Sequence, residues 1–139
     1  MENVKKVLDI LNQALRLEYS LIIHYPRINM AVHDNDIKSM VNTLGVMSIK
    51  HADVVSDAII SLGGTPEWSF DPAPEEIDLK NIFHIQLGKE KLALQLHSES
   101  SKLISDKELK TQFEILAKQE EGHIKIVENI LSRLNQSAI

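Results

Sequence analysis

The chain has 139 residues, 43% of them apolar, a formal net charge of −5 and no cysteine. That length suits one hydrophobic core and a single domain over 1–139, while the missing thiols exclude disulfides, thiol catalysis and cysteine-held metals. The charge is mild and mixed in sign, with no basic stripe for nucleic acid, and no apolar run reaches the length of a membrane span.

The N-terminus opens on a mixed-charge amphipathic pattern without the character of a signal peptide, so a cytoplasmic location is expected. Val4, Val7, Leu8, Leu11, Leu15, Leu21 and Ile22 recur at helical spacing and predict a first helix to about Ile28, ended or bent by Pro26. His33-Asp34-Asn35-Asp36 reads as a polar turn that offers caps. A second helix follows from about Asp36 to Leu62, with Ile37, Val41, Leu44, Met47, Val54, Val55, Ala58 and Ile59 on its apolar face, closed by Gly63-Gly64. The segment 64–77 holds three of the four prolines and reads as a long crossover, with Trp68 and Phe70 packed back as a lid. A third helix should run from about Asp78 to Ile104 and a fourth from Asp106 or Lys107 to about Leu134, started by Ser105-Asp106 with Glu108 close behind. Short loops join each pair, so two antiparallel hairpins, about 4–63 and 78–134, form an all-α, up-down-down-up four-helix bundle.

The chemistry lies in a repeat. Glu18 precedes His51 by 33 residues and Glu90 precedes His123 by 33. An offset of 72 superposes Glu18 on Glu90, Tyr25 on His97, Asp34 on Asp106, Ser48 on Glu120 and His51 on His123. Glu120 and His123 are three apart, on one helix face and able to reach a common metal. Two first-row ions held close together need anionic oxygens to offset and bridge them, and imidazoles to fix geometry while leaving positions open. Glu18, His51, Glu90, Glu120 and His123 supply all but one carboxylate of such a set, with Ser48 where the last is expected. Tyr25, Ser48 and His97 are candidates for an extra ligand or for hydrogen bonds to the ligands. Iron is the first metal expected, and manganese or zinc would suit the same donors. No individual catalytic residue is legible.

Leu17-Glu18-Tyr19, Lys50-His51-Ala52-Asp53, Glu90-Lys91, Phe113-Glu114-Ile115-Leu116-Ala117 and Glu120-Glu121-Gly122-His123-Ile124 together give the chain a resemblance to the ferritin-like superfamily, within it to bacterioferritin and rubrerythrin-like di-iron proteins. The resemblance spans nearly the whole chain. It implies that Glu18 and Glu90 are terminal carboxylates, Glu120 a bridging one, and His51 and His123 the imidazole ligands. It further implies oxidation of ferrous iron, reduction of peroxide or activation of dioxygen. Ser48 departs from the family's second bridging glutamate, which predicts a weaker second metal or a mononuclear site. Ile49 stands where bacterioferritins place a haem-ligating methionine, and Met47 is turned away on the helix, so no haem is expected. The absence of cysteine excludes the small iron domain of rubrerythrins. The stretch after Leu134 is too short for the fifth helix of ferritin cages.

An alternative register makes Gln95, within Leu92-Ala93-Leu94-Gln95-Leu96, the third-helix position that faces the site; Glu90 is preferred because it alone restores the equal separations. Taken singly, His84 and His97 read as surface or core-edge residues, and His24 and His33 as residues of a helix end. Glu121 should point outward, and Gly122 should admit a close neighbouring helix. Val46 and Ile49 fall outside the central stripe and suggest a homodimer or higher homo-oligomer. Three functions fit: an oxidoreductase acting on ferrous iron, oxygen or peroxide; an interaction or metal-sensing module with a mononuclear or empty site; and an oxygenase for a small apolar substrate.

Overall fold

A computed structural model of the protein describes residues 3–137, in four helices: α1 (Val4–Asn29), α2 (Asn35–Ser61), α3 (Leu79–Leu103) and α4 (Lys107–Ser137). Each start is set by a short polar side chain that satisfies a free helical N–H. Asn3 accepts from the Lys6 amide, Asp34 from those of Asp36 and Ile37, Asp78 from that of Lys80, and Asp106 from that of Leu109. Asp34 and Asp106, paired by the sequence repeat, thus do the same work at the starts of α2 and α4.

Gly63 ends α2 with φ 85°, a left-handed conformation open to it because it lacks a Cβ, and the Gly63 and Gly64 amides return to the Ile60 and Ile59 carbonyls. Pro26 does not stop α1. It falls in the last turn, where burial of Ile28 and Val32 offsets the lost N–H, and the helix runs to Asn29. The fourth helix likewise passes the expected Leu134 to end at Ser137.

Two hairpins, α1 with α2 and α3 with α4, pack so that α1 faces α3 and α2 faces α4. Leu11, Leu15 and Leu21 of α1, Leu44 and Ile59 of α2, Phe83 of α3 and Phe113 and Ile130 of α4 are fully buried. Each such side chain contributes about 1.5–3 kcal/mol. Among the described residues, no helix is long and apolar enough to cross a membrane.

The crossover follows a polar stripe on α1 built at four-residue spacing. Asn12 bonds the backbone of Thr65 and Glu67, and Arg16 pairs with Asp71 at 2.6 Å. Ser20 accepts from the Asp71 amide, and His24 Nε2 lies 2.8 Å from the Asp71 carbonyl. His24 is therefore buried under the crossover instead of lying in solvent at a helix end. Its burial, only partly offset by the Asp71 carbonyl, lowers its pKa. The expected lid does not form: Trp68 stacks on Tyr19 yet remains 86% exposed, and Phe70 is 53% exposed. Polar ties at Thr65, Glu67 and Asp71, not these aromatic side chains, fasten the crossover to α1.

Candidate metal centre

Halfway along the bundle the apolar core gives way to six ionisable side chains, none more than 4% exposed: Glu18 from α1, His51 from α2, Glu90 and His97 from α3, and Glu120 and His123 from α4. Helical periodicity aims them inward. Glu120 and His123 are one turn apart, and Glu90 and His97 two turns, so each pair shares a face.

The donors fall into two groups that share Glu120. In one, His51 Nδ1 is 2.9 Å from Glu120 Oε1 and 3.4 Å from Glu18 Oε2, while His97 Nε2 is 2.9 Å from Glu18 Oε2 and 3.9 Å from Glu120 Oε1. In the other, His123 Nδ1 is 3.2 Å from Glu120 Oε2 and 3.7 Å from Glu90 Oε1. Glu120 thus offers one oxygen to each group. Within each group the ligand atoms lie within 4.8 Å of one another. Tyr25 donates to Glu90 Oε2 at 2.9 Å, and His51 Nε2 lies 2.8 Å from Oε1 of the exposed Gln119.

Burial and charge pull the ionisations apart. Burial alone would lower the His51 pKa, but hydrogen bonds to Glu120 and Glu18 outweigh it and raise the value to about 10. The same contest, with Glu120 and Glu90 as partners, raises His123 to about 9. Burial also opposes ionisation of Glu120, yet His123 and His51 hold its pKa below the usual carboxylate range. Glu90 goes the other way, because burial pushes its pKa up and the neighbouring Glu120 adds to the effect. Burial, then Glu90, keeps the Tyr25 hydroxyl protonated well beyond its ordinary range, fixing it as a donor.

The donor set suits divalent metal. Among the described residues, Glu18 Oε1 is buried without a hydrogen-bond partner, and Glu90 Oε1 and Glu120 Oε2 face the ring nitrogen of His123 at 3.7 and 3.2 Å. Buried lone pairs without donors are costly, and a cation relieves them where carboxylates and imidazoles converge. Oxygen and imidazole nitrogen in equal numbers, with no sulfur, match iron, manganese or zinc.

The five residues expected from spacing are all brought together here. Gln95 is exposed and bonds Glu99, so Glu90 is the α3 carboxylate that faces the cluster. His97, read singly as a surface or core-edge residue, is fully buried within it, and its seven-residue distance from Glu90 was the available signal. The repeat pairs Tyr25 with His97, and they act as partners: Tyr25 reaches the carboxylate of the second half, and His97 that of the first. Ser48 is buried one turn before His51, but its hydroxyl donates to the Leu44 carbonyl. Gln119 was missed, because a residue beside Glu120 on α4 is expected to turn away, and the α2–α4 seam alone brings it to His51. Glu121 is exposed as expected. Gly122 is exposed with no atom within 4 Å of a built Cβ, so it admits no close helix; its position on the outer face explains this.

No protein-family profile matches the chain, and no curated protein matches it. Solved structures do. A ferritin-like diiron-carboxylate protein from Bacillus anthracis str. Ames is similar over 94% of this chain and 99% of its own, with a TM-score of 0.85 and 22% identity. The dodecameric thioferritin of Bacteroides fragilis, described as bacterioferritin-related, is similar over 99% and 90%, with a TM-score of 0.84 and 18% identity. Rhodobacter capsulatus bacterioferritin, with a metal-free dinuclear site and haem iron, is similar over 98% and 89%, with a TM-score of 0.79 and 27% identity. The architecture is the ferritin-like, bacterioferritin-type fold.

Proposed function

We propose that this is a metal-binding ferritin-like protein that holds iron at Glu18, His51, Glu90, Glu120 and His123 and works as an oxidoreductase on ferrous iron, oxygen or peroxide. The observation that carries the reading is Glu120, whose two oxygens serve two donor groups at once. Bound iron would supply Lewis acidity and one-electron exchange with the oxidant. The protein's own part is to orient and to move protons. Tyr25 holds Glu90 by one oxygen and leaves the other directed to His123. Gln119 accepts from His51 Nε2, which frees Nδ1 to act as donor to metal. Loading requires His51 and His123 to give up the protons that their carboxylate partners stabilise in the metal-free protein. Manganese and zinc fit the same donors.

A second reading, oxygenation of a small apolar substrate, is favoured by a groove of about 460 Å³ between α1 and α2, lined by Ile22, Val41, Gly45, Val46 and Ile49 and reaching Tyr25. Exposed Val46 and Ile49 border this groove and also support association of the chain with its own copies.

Metal content tests the proposal. Protein purified without chelator or added metal is measured by elemental mass spectrometry, before and after aerobic ferrous iron titration, beside a His51→Ala, His123→Ala double variant. Iron bound by the wild type, oxidised on titration and lost from the variant is the expected result. Absence of metal in both preparations refutes it.

A further inference from the structure

Resting on the reading of the cluster as a metal site, we infer that its two halves are unequal: Glu18, His51, His97 and Glu120 form a two-nitrogen, two-oxygen pocket in which His97 is a direct ligand, and a single divalent cation fills this pocket before the three-donor half.

Geometry supports it first. Four donors around an ion at ~2.0–2.1 Å form a tetrahedron whose edges are ~3.3 Å. The four measured separations in this group, 2.9, 3.4, 2.9 and 3.9 Å, bracket that edge. All four donor atoms lie within 4.8 Å of one another. The other group offers three residues, Glu90, Glu120 and His123, and leaves coordination to solvent or to an added ligand.

Charge gives the order. One divalent ion in the four-donor pocket is neutralised by Glu18 and Glu120, because His51 and His97 bind as neutral imidazoles. A second ion beside Glu90 meets only one more carboxylate, so the pair of ions carries one uncompensated positive charge in a buried site. Ser48 cannot offset it, since its hydroxyl is uncharged and turned to Leu44.

Nε2 of His97, which reaches Glu18 and lies 3.9 Å from Glu120, is the atom that would bind. The proton it gives up moves to Nδ1, which has no partner among the described residues. His97 is thereby a weaker ligand than His51, whose Nε2–H has Gln119 Oε1 to accept its hydrogen bond. A ring that only positioned Glu18, as Tyr25 positions Glu90, would be replaced without loss by any side chain that donates to the same oxygen.

The test is a Co(II) titration of the full chain followed by calorimetry and by the visible d–d spectrum, which strengthens when coordination goes from octahedral to tetrahedral, with Zn(II) competition. Wild type should take one tight Co(II) with a strong tetrahedral spectrum, then a weaker second ion. His97→Gln keeps an N–H for Glu18 but offers a poor ligand. It should lose the tetrahedral spectrum and weaken the first ion by more than the ~10–100-fold that loss of a supporting hydrogen bond costs. Glu90→Gln should keep the first ion and its spectrum and lose the second; this variant decides the matter if His97→Gln does not fold. Wild-type affinity and spectrum in His97→Gln, or loss of the first ion in Glu90→Gln, would overturn the inference and leave the metal-site proposal standing. No Co(II) or Zn(II) uptake by the wild type would overturn both.

Discussion

Ser48→Glu should make the metal-free protein less stable and the two-metal protein more stable. Ser48 is fully buried one turn before His51, itself a member of a cluster of three carboxylates and three imidazoles. A fourth carboxyl there must either stay charged and lack a counter-ion or take up a proton. Protonation at pH 7, against an ordinary glutamate pKa of about 4.3, costs about 4 kcal/mol. For a chain of this length that corresponds to a fall in Tm of roughly 10–20 °C. With two divalent ions the sign reverses, because the new carboxylate offsets the remaining positive charge. A unit charge pair at ~4 Å and an effective dielectric of ~20 is worth ~4 kcal/mol, about a thousandfold in the affinity of the second ion. The added volume also strains the core, so Ser48→Gln, nearly the same size without the charge, is the reference. Calorimetric unfolding in chelator, and isothermal titration with Co(II) or Fe(II) under anaerobic conditions, measure the two effects. Equal second-ion affinity in the Glu and Gln variants would refute the charge argument.

The metal-free protein should lose stability steadily as pH rises from about 5 to 10. His51, at about 10, and His123, at about 9, bind protons more tightly folded than unfolded, as does Glu90; their contributions are complete below the unfolded pKa values and vanish as pH passes the folded ones. Glu120, held low, contributes the opposite slope only in acid. Urea midpoints in chelator at several pH values check the sign, and a flat or rising profile between pH 6 and 9 contradicts it. Tyr25→Phe removes the hydroxyl donor to Glu90 and should lower stability by ~1–3 kcal/mol while loosening the ion of the three-donor half, read by unfolding and by metal titration. Gly63→Ala meets no clash but must adopt φ 85°, so a loss of ~1–2 kcal/mol and no change in metal binding is expected. An unchanged Tm would mean that the turn relaxes.

Much of this protein is local, and for that reason readable along the chain. Helix faces follow from periodicity, Asp34, Asp78 and Asp106 announce starts, and Gly63 announces an end, since each depends on neighbours within a turn or two. The paired 33-residue separations also carry the site, because two helices joined by a short turn place such residues at one height in the bundle. Tertiary structure decided the rest. Whether a polar stripe on α1 receives solvent or the crossover depends on a segment 47 residues away, as between His24 and Asp71. Whether a lone histidine is surface or ligand depends on which helix lies opposite: Glu18 and His97 meet across 79 residues, and Gln119 reaches His51 across 68. Side-chain ionisation follows the same rule. One glutamate of the centre is driven to ionise and another to keep its proton, although their chemistry is identical, because the bundle surrounds Glu120 with two imidazoles, whereas for Glu90 burial and the neighbouring Glu120 outweigh His123.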